Sequence, residues 1–372
     1  MTITILFPFP LINSGGKNRA ALQKSEALLR LYPDAIVLYP KRKNALIIDL
    51  FCIEIYAIYL LITGRSSLLW SRGYIGSLAT VTAFILGKPS IREIHSKLLE
   101  EIRLLDKSFI EKALLRFCAC YSLVGDLFCQ LLVFNTIQLK KTCKYRRIRK
   151  LFSHFISYPS LSIVSYNAGT SSDFHRWADV PSLLSERRAF AADDQYILTF
   201  SGSVSPWHGV DYIVKLAKYS LDRGFPYKYV IVGGKISAVD KLANIINVSP
   251  SCPAQSHRIL SISDAFLLPV KPNRSSPGSP LKLYDYLNYD KPIFYQDGTS
   301  AYVFEASGHP TCFSVDFLDP DRFLDTLTTV WSMYPPNIHY PKLQNFISLS
   351  VNHTWDHRVI SILSFLNLSL SQ

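Results

Sequence analysis

Residues 273–292 read NRSSPGSPLKLYDYLNYDKP, a polar loop that runs directly into a short segment with helical periodicity. Ser279 is a favourable N-cap residue, and Pro280 then occupies the first helical position, where its missing N–H costs nothing. One face of the predicted helix is apolar: Leu281, Leu283, Tyr284 and Leu287. The free N–H groups of the first turn and the helix dipole favour an anion there. Because Lys282 lies in the same turn, the stretch predicts an anion site with its own cation.

A carboxylate follows this anion site. Asp285 lies one turn after Leu281 on the same side of the predicted helix, within reach of a group beside the anion. An anion site next to a carboxylate suits a nucleoside diphosphate, whose ribose hydroxyls can donate to the acid. The alternative is an ordinary capped surface helix of an α/β domain. Residues 288–290 then turn the chain, and Lys291 and Pro292 lead into a short apolar run.

The segment SPLKLYDYLNYDKPI, residues 279–293, resembles the donor-site helix of family-4 glycosyltransferases, which often reads S-P-L-K-L-x-E-Y-x-x-x-x-K-P. That family has the GT-B fold, in which two Rossmann-like domains face each other across a cleft. In it this helix binds the nucleoside diphosphate of an activated sugar, and a Glu at the position of Asp285 holds the ribose. Two positions depart from the pattern. Pro277 replaces a Glu that usually touches the donor sugar, and Asp290 replaces a Gly.

The resemblance extends to residues 201–224, SGSVSPWHGVDYIVKLAKYSLDRG. The family usually carries an Arg and a Lys in this loop, both on donor phosphates, where this chain has Ser203 and His208. A W-H-G version of the loop occurs within the family, and the phosphate charge would then come from Lys282, Arg274 and protonated His208. The alternative for His208 is a neutral loop histidine. The resemblance implies a catalytic Lys282 and these donor-binding residues: Ser203, His208, Arg274, Gly278, Ser279, Leu281 and Asp285.

The composition bounds the architecture and the class of partner. A chain of 372 residues with 48% hydrophobic residues can bury two substantial cores, so two domains are expected. The formal net charge is +12, which predicts an anionic partner: a nucleotide, a nucleic acid or an acidic membrane surface. Seven cysteines show no paired zinc motif, and a reduced, cytoplasmic setting fits them best. The first residues, MTITILFPFP, predict a strand rather than a signal peptide.

The start of the chain has the order of a Rossmann-like unit. Residues 2–9 form a short apolar run, typical of a buried parallel strand, and residues 17–31 predict an amphipathic helix. Between them, Gly15 and Gly16 let backbone amides approach a ligand closely, although the sequence is neither a Walker A motif nor G-x-G-x-x-G. The family has a similar Gly-Gly loop that faces the donor, so the resemblance assigns both glycines to donor binding.

A predicted strand at 88–94 places Glu93 and His95 at its carboxyl end, where ligands bind in open α/β sheets. A lone histidine is often structural, and that alternative stays open. Residues 71–96, SRGYIGSLATVTAFILGKPSIREIHS, resemble a strand–helix–strand segment of the family that also ends in E-x-H. Its histidine lies near the donor sugar, so the resemblance assigns His95 a catalytic role. Glu93 and Arg72, at the end of the preceding strand, are placed on the acceptor side.

Two segments predict contact with a surface. Residues 45–63 are apolar and long enough to span a bilayer, but Asp49 and Glu54 favour a buried or membrane-surface helix. Residues 140–150 carry a dense run of cations: Lys140, Lys141, Lys144, Arg146, Arg147, Arg149 and Lys150. This run predicts either a solvated helix face or a contact with a membrane surface or another polyanion. Few aromatic residues are interleaved with it, which argues against single-stranded nucleic acid.

The remaining segments set the domain boundaries. Residues 112–133 predict a helix, or helix–strand–helix around 121–124. Residues 167–170 resemble the turn that closes the family's first domain, and 171–194 predict an irregular linker. A last helix presents one apolar face: Trp355, Val359, Ile362, Leu363 and Leu366. The resemblance implies that it packs back on the first domain. We expect an acceptor-binding domain at 1–168 with 355–372, and a donor-binding domain at 169–354.

The resemblance covers nearly the whole chain, and it implies a retaining glycosyltransferase of the hexosyltransferase type. The donor would be a nucleoside diphosphate sugar, and the acceptor a glycan or lipid-linked hydroxyl in bacterial cell-surface polysaccharide or glycolipid assembly. The expected location is cytoplasmic or peripheral on the cytoplasmic face of a membrane. We expect no cofactor and no metal, because the protein supplies the positive charge and shows no clear Asp-x-Asp metal motif. Two alternatives remain: a catalytically silent GT-B protein that binds a sugar nucleotide or a partner, and a polyanion or nucleic-acid binder.

Overall fold

A computed structural model of the chain describes residues 2–9, 11, 16–41, 47–95, 102, 108–134, 140, 161–165, 180–205, 208–234, 242–249, 253–271, 281–289, 291–296, 311–333 and 354–370. The chain divides into two compact units. Unit 1 comprises residues 1–168 and 354–372, and unit 2 comprises residues 169–353.

Unit 1 is built on a six-stranded parallel sheet. Its strands are β1 (Ile3–Leu6), β2 (Ile36–Leu38), β3 (Leu68–Arg72), β4 (Ser90–Ile94), β5 (Leu131–Phe134) and β6 (Leu161–Val164). The strand order is β2–β1–β3–β4–β5–β6. Every residue of β1, β3, β4 and β5 is buried, as expected for short apolar strands that helices cover on both faces.

The helices of unit 1 lie on both faces of this sheet. They are α1 (Gly16–Leu31), α2 (Ile47–Ile62), α3 (Ser77–Ile85), α4 (Phe109–Phe128) and, from the end of the chain, α10 (Trp355–Leu370). The chain moves from β1 to β2 in one direction along the sheet, and from β2 through β3 and β4 to β5 in the other. Right-handed crossovers therefore place α1 on one face and α2, α3 and α4 on the opposite face.

The C-terminal helix α10 completes unit 1. It packs against α1, where Trp355 Nε1 donates to Gln23 Oε1 at 3.1 Å. The five residues of its predicted apolar face are all buried: Trp355, Val359, Ile362, Leu363 and Leu366. The packing of this helix on the first domain, as the sequence predicted, joins the two ends of the described chain in one core.

A buried arginine fixes the loop at the carboxyl end of β3. Arg92 Nε donates to Asp126 Oδ1 on α4 at 2.7 Å, and its Nη atoms donate to the carbonyls of Gly73 and Ile75. A side chain on Gly125 could not fit, because its Cβ would lie 2.7 Å from Arg92 Nη1. Arg92 therefore ties α4 to the loop that follows β3, next to Arg72 and Glu93 at the ends of β3 and β4.

Unit 2 repeats the architecture with a second parallel sheet of six strands. They are β7 (Tyr196–Gly202), β8 (Tyr227–Gly233), β9 (Ile245–Val248), β10 (Ala265–Leu268), β11 (Ile293–Gln296) and β12 (Cys312–Val315). The order is β12–β11–β10–β7–β8–β9. The strand order reverses beside β7, and in open α/β sheets such a switch point is where ligands bind.

Five described helices accompany this second sheet: α5 (Val180–Phe190), α6 (Val210–Asp222), α7 (Pro253–Ile262), α8 (Leu281–Tyr286) and α9 (Pro320–Met333). The main core of the unit combines side chains of β7, β8, α6 and α9. Helix α8 is short and continues as a 3-10 helix over Leu287–Tyr289. It belongs to the segment 273–292, and it contacts β7 through a hydrogen bond between Tyr286 and Ser201.

The prediction of an irregular linker at 171–194 is wrong for residues 180–190, which form α5. Residues 171–179 lie outside the described part. The charged side chains that made this segment look like a solvated linker include Arg187, which is buried. It donates to Asp264 Oδ2 at 2.8 Å and to the Gln195 carbonyl at 2.7 Å. The buried ion pair between Arg187 and Asp264 thus supplies a tertiary contact that the polar local sequence did not predict.

The alternative of a strand at 121–124 is also wrong. These residues lie inside α4, and the strand is β5, at Leu131–Phe134. Helix α4 begins at a capping box, in which Ser108 and Glu111 satisfy each other's backbone N–H groups. No glycine or proline separates α4 from β5, and both are apolar, so the local sequence did not mark the boundary.

The two segments predicted to contact a surface have different outcomes. The apolar segment 45–63 contains α2, whose Glu54 is buried and accepts from Ala79 N at 3.1 Å. Within the described ranges, no helix has both the length and the apolar character needed to cross a bilayer. Of the cationic run 140–150, only Lys140 is described, and it donates to the Ser162 carbonyl at 2.8 Å.

Candidate functional site

The first turn of α8 carries a buried lysine at the carboxyl end of β7. The side chain of Lys282 is buried, and its Nζ atom lies 4.0 Å from the centroid of the Phe200 ring. Among the described residues, no acceptor lies within hydrogen-bonding distance of this Nζ. Burial lowers the pKa of Lys282 to about 7, and the Asp285 carboxylate opposes that shift. Because an unpaired buried ammonium is costly, an anion at this position would remove a standing penalty.

Two glycines bring the carboxyl ends of β7 and β8 together beside Lys282. Gly202 has φ of +147°, and a Cβ on it would lie 3.0 Å from Lys282 Nζ. Gly233 has φ of +134°, and a Cβ on it would lie 2.2 Å from the Gly202 carbonyl oxygen. A side chain at either position would therefore collide with its neighbour. The glycines leave backbone, rather than side chains, next to the ammonium.

The loop that follows β7 is braced by a histidine. His208 Nδ1 donates to the carbonyl oxygen of Ser203 at 2.5 Å, and its ring lies 6.1 Å from that of Phe200. Ser203 is exposed, and its hydroxyl lies 3.3 Å from that of Ser205. The structure therefore brings together two residues that the sequence assigned to donor binding, Ser203 and His208, at the strand end that also carries Gly202.

The remaining predicted residues of this site are only partly described. Leu281 and Asp285 lie on α8 and are half-buried, whereas Arg274, Gly278 and Ser279 lie outside the described residues. Helix α8 is held in place by Tyr286, whose hydroxyl accepts from Ser201 N at 2.8 Å and whose ring stacks on Phe266. This contact, which the sequence did not reveal, fixes Lys282 against β7.

The predicted residues of unit 1 form a separate cluster at the ends of β3 and β4. Glu93 is buried, and its Oε1 accepts from Lys24 Nζ at 2.5 Å and from Trp70 Nε1 at 2.7 Å. Its other oxygen, Oε2, lies 2.8 Å from His95 Nε2. Both carboxylate oxygens are thus engaged inside the protein. His95 reaches solvent, with 22% of its side chain exposed.

Aromatic rings surround the cations of this cluster. Lys24 Nζ lies 5.5 Å from the centroid of the Trp70 ring and 4.9 Å from that of Trp355, so α1, β3 and α10 all contribute. The Arg72 guanidinium lies 5.4 Å from the centroid of the Phe9 ring. Its buried Nη1 has no hydrogen-bond partner within the described ranges. Such contacts keep the cations in a low-dielectric setting, where each interacts strongly with Glu93.

Burial and neighbouring charges fix the protonation states of the cluster. Burial lowers the pKa of Lys24 to about 8, against the attraction of Glu93. Burial, together with nearby Arg72, lowers the pKa of His95 to about 3, although Glu93 acts in the opposite direction. Burial alone would raise the pKa of Glu93, but Lys24, His95 and Arg72 together hold it well below its usual range. His95 is therefore neutral and Glu93 ionised at neutral pH.

The sequence missed two members of this cluster, Lys24 and Trp70. A signal for Lys24 was present, because it lies on the buried stripe of α1 with Ala20, Ala27 and Leu28. A lysine on such a stripe needs a buried partner. Of the predicted Gly-Gly loop, Gly15 is outside the described part, and Gly16 is the first residue of α1.

Among the described residues, no group of three or more His, Cys, Asp or Glu side chains could hold a metal ion. The chain does contain one Asp-x-Asp sequence, at 319–321. Asp319 Oδ1 accepts from Arg322 N at the start of α9, and Asp321 pairs with Arg223 at 2.9 Å. These two carboxylates are therefore used in a helix cap and a surface ion pair.

Comparison with known proteins identifies the architecture. No protein-family model matches the sequence, and no curated protein matches it significantly. Solved structures do match over the whole length. The catalytic domain of starch synthase IV from Arabidopsis thaliana, bound to ADP and acarbose, has a TM-score of 0.64 at 10% identity and covers 100% of this chain and 99% of its own. A glycosyltransferase from Rickettsia africae has a TM-score of 0.63 at 12% identity, with 97% of both chains covered.

A third structure similar to this chain is HepE from Anabaena in complex with UDP and glucose. Its TM-score is 0.61 at 11% identity, and it covers 97% of this chain and 99% of its own. At these identities the likeness speaks for the fold alone. This chain has two parallel six-stranded sheets, each in its own unit. The chain has the α/β architecture of GT-B glycosyltransferases, as the sequence predicted.

Proposed function

We propose that this chain is a retaining, family-4-like glycosyltransferase that moves a hexosyl group from a nucleoside diphosphate sugar to an acceptor hydroxyl. The observation that carries the proposal is the buried ammonium of Lys282, which has no acceptor among the described residues and lies beside the glycine backbone at Gly202. Diphosphate oxygens would satisfy it, and two similar GT-B structures are described with ADP or UDP bound.

The proposed catalysis is largely electrostatic. When the anomeric bond to the diphosphate breaks, negative charge develops on the leaving group, and Lys282 would stabilise it. A bound diphosphate raises the pKa of a lysine that burial holds near 7, so donor binding itself favours the charged form. Asp285 would accept from the ribose hydroxyls, and Ser203 and His208 would line the phosphate path. Further donor contacts are assigned to Gly15, Gly16, Arg274, Gly278, Ser279 and Leu281.

In unit 1 we assign His95 to positioning the donor sugar. Its neutral imidazole offers hydrogen bonds without a competing charge, and the Glu93 contact fixes the ring orientation. Both oxygens of Glu93 already accept hydrogen bonds within the cluster, so we now assign Glu93 to orienting His95 rather than to the acceptor. Arg72, with a buried Nη1 that lacks a described partner, remains assigned to the acceptor side.

A binding screen followed by product analysis tests the proposal. We expect ADP, UDP or GDP and the matching sugar nucleotides to raise the melting temperature. A ligand at 100 times its Kd adds about 2.7 kcal/mol to the free energy of unfolding. Proton NMR of the product should show the donor's anomeric configuration in a new glycosidic bond. Inversion, epimerisation of the donor, or an absence of nucleotide binding would each contradict the proposal.

One observation favours a second candidate, a catalytically silent GT-B protein that binds a sugar nucleotide or a partner. The family pattern has an Arg and a Lys where this chain has Ser203 and His208. Here His208 Nδ1 already donates to the Ser203 carbonyl. Less cationic charge would then be available to stabilise the leaving diphosphate, so the stabilisation would be weaker. Nucleotide binding without transfer to any acceptor of a glycan panel would identify this candidate.

The setting is also part of the proposal: assembly of a bacterial cell-surface polysaccharide or glycolipid in the cytoplasm, with peripheral contact to an anionic membrane. The net charge of +12 supports an anionic partner. We propose that the reaction needs no cofactor and no metal, because Lys282 supplies the charge that a divalent cation would otherwise supply. Turnover that survives excess chelator would agree with this, and a strict requirement for Mg²⁺ or Mn²⁺ would not.

A further inference from the structure

The large apolar side chains that unit 1 exposes are concentrated on α2, α3 and α4. Three of them have most of their surface exposed: Phe109 at 80%, Ile85 at 74% and Ile48 at 70%. The exposed apolar residues on these helices and the α3 C-cap are Ile48, Phe51, Ile55, Tyr56, Tyr59, Ile62, Leu78, Ile85, Leu86, Phe109, Ile110, Leu114, Phe117 and Val124. Unit 2, by contrast, exposes only scattered ones among its described residues: Val204, Leu221, Leu318 and Met333.

Helix α2 is apolar on its outward side as well as on its inward side, where Ala57 and Leu61 are buried in the core. Its carboxylate Glu54 points inward, is buried, and accepts from Ala79 N at the start of α3. Beside it, the Tyr121 hydroxyl of α4 accepts from Leu78 N at 3.2 Å. The outward side carries Phe51 and Ile55 among other apolar residues. A helix that is apolar on both sides, and whose buried acid is satisfied by α3, suits an apolar medium outside it.

The three helices form one continuous layer. Helix α3 packs against α2 on one side and α4 on the other, and the right-handed crossovers place all three on the same face of the sheet. Phe84 and Phe128 close the α3–α4 contact, with ring centroids 5.4 Å apart. The exposed apolar residues of the three helices therefore share one outer surface, which is larger than the isolated apolar spots that soluble surfaces carry.

Among the described residues, the unpaired charges around this surface are mainly cationic. Lys112 and Arg116 lie on α4 among the exposed Ile110, Leu114 and Phe117, and the Arg65 guanidinium lies 5.9 Å from the centroid of the Tyr59 ring just after α2. The acids on these helices are engaged. Glu54 caps α3, Asp126 pairs with Arg92, Glu111 belongs to the capping box of α4, and Asp49 has a partner. Apolar and aromatic side chains rimmed by Lys and Arg match the chemistry of an anionic lipid surface.

We propose that the outward faces of α2, α3 and α4 form a membrane-binding surface that inserts its apolar side chains into the headgroup–acyl boundary of an anionic bilayer without spanning it. Tyr56 and Tyr59, whose rings stack 6.0 Å apart, lie on the same face with hydroxyls suited to the headgroup level. This deepens the membrane contact proposed above: the attachment is mainly apolar, with the cations at its rim. It does not rest on sugar transfer.

Vesicle sedimentation with a matched pair of variants tests the surface. We expect the protein to pellet with phosphatidylglycerol–phosphatidylcholine vesicles and to stay with them at high salt. In Phe51→Ser/Ile55→Ser/Phe117→Ser, the partition coefficient should fall by at least about tenfold, because three inserted side chains are lost. The control Leu221→Ser/Leu318→Ser/Met333→Ser removes three exposed apolar residues of unit 2 and should pellet as the wild type does. All six residues are exposed, and circular dichroism would verify that both variants fold.

A depth measurement supplies an independent readout. Tryptophan at position 51 or 117 (Phe51→Trp, Phe117→Trp) should be quenched by brominated lipids, whereas Met333→Trp should not. Equal pelleting of both triple variants, full release by salt, or unquenched probes would each overturn the proposal. So would lipid-independent self-association that the Phe51→Ser/Ile55→Ser/Phe117→Ser variant abolishes, since a second copy would then cover the surface. Calorimetry measures nucleotide binding independently of vesicle binding. A failure of the membrane proposal is therefore distinct from a failure of the proposed function.

Discussion

At the scale of single residues, Lys282 lies in an environment that disfavours its charged form. Its ammonium is buried over the Phe200 ring, and among the described residues it has no acceptor. Lys291 is half-buried, and it donates to the carbonyl of Ser261 at 2.6 Å and to that of Ser263. The two lysines can therefore be compared directly: the Lys291 ammonium has hydrogen-bond acceptors within the fold, and the Lys282 ammonium has none among the described residues.

This contrast yields a first prediction. Lys282→Met should weaken the binding of ADP or UDP by about 1.5–3 kcal/mol, the range for a hydrogen bond to a charged group. It should also raise the free energy of unfolding, because an unpaired buried ammonium is removed. Lys291→Met should lower the free energy of unfolding by about 1–3 kcal/mol and leave affinity unchanged. Calorimetry and urea unfolding measure both quantities, and unchanged affinity in Lys282→Met would exclude it from the site.

A second prediction concerns proton uptake. The pKa of Lys282 is about 7 in the free protein, and a bound diphosphate should raise it. Binding at pH 8 should therefore take up close to one proton, and affinity should fall as pH rises above 7. Calorimetry in two buffers of different ionisation enthalpy measures the uptake directly. Lys282→Met should show none, and equal uptake in that variant would assign the proton to another group.

Because the pKa of Lys282 in the folded protein lies below its ordinary value of 10.5, the unfolded chain binds more protons between the two values. This lysine therefore makes the free energy of unfolding rise as pH increases from about 7 to 10.5. Lys24 and Lys291, whose pKa values burial lowers to about 8, act in the same direction. Only the contribution of Lys282 should disappear when nucleotide is bound.

The third prediction separates chemistry from nucleotide binding. His95→Ala should lower kcat by about a hundredfold, the effect of losing substrate orientation. The Kd for free nucleoside diphosphate should stay unchanged. Since the pKa of His95 is about 3, the wild-type profile of kcat/KM should show no His95 ionisation between pH 5 and 8. His357→Ala, an exposed histidine of the same unit, is the matched control. Equal losses of kcat and nucleotide affinity in His95→Ala would make the residue merely structural.

At the scale of elements, the start of α6 depends on one backbone conformation. Gly209 is the N-cap residue, with φ of +61°, and a Cβ on it would lie 1.8 Å from the carbonyl oxygen of Pro269. This close approach joins α6 to the end of β10, and it holds the loop that carries His208. The conformation and the contact together exclude any side chain at this position.

The fourth prediction follows from this contact. Gly209→Ala should lower the free energy of unfolding by about 3 kcal/mol or more, because backbone strain and a collision with Pro269 add. Gly224→Ala is the control: its φ is +69°, but nothing lies within 4 Å of the added Cβ. It should cost only the strain, about 1 kcal/mol. Thermal or urea unfolding measures both, and equal losses would show that the Pro269 contact relaxes freely.

Most strands and amphipathic helices could be predicted from the sequence, because short apolar runs and helical periodicity report local burial. Helix α10 is the best case, with all five predicted face residues buried. Helix α5 could not be predicted, because Arg187 is buried only through Asp264, 77 residues later in the chain. The candidate site divides in the same way. The positions of Lys282 and His95 followed from motifs, whereas Lys24, Trp70 and Tyr286 joined through tertiary contacts that no local pattern encodes.

At the scale of the whole molecule, the chain length predicted two domains, and the resemblance to family-4 glycosyltransferases predicted the architecture of two sheets that the structure has. It did not predict that the outward side of α2 is apolar as well as its inward side. Asp49 and Glu54 argued against a membrane span, which was sound, but only the tertiary structure shows that Glu54 turns inward to α3. The composition of a helix does not show whether a charged side chain points into the core or outward. On α2 this orientation decides what the outer surface can contact.

Unit 1 is built from both ends of the chain, since α10 packs against α1 across more than three hundred residues. During synthesis the first 168 residues leave the ribosome well before Trp355 exists to cover Lys24. At about 5–20 residues per second, the intervening 185 residues of unit 2 impose a wait of roughly ten to forty seconds. Unit 2 is continuous in sequence, so it is complete before α10 has been made. The first 168 residues spend this interval without the helix that packs on α1.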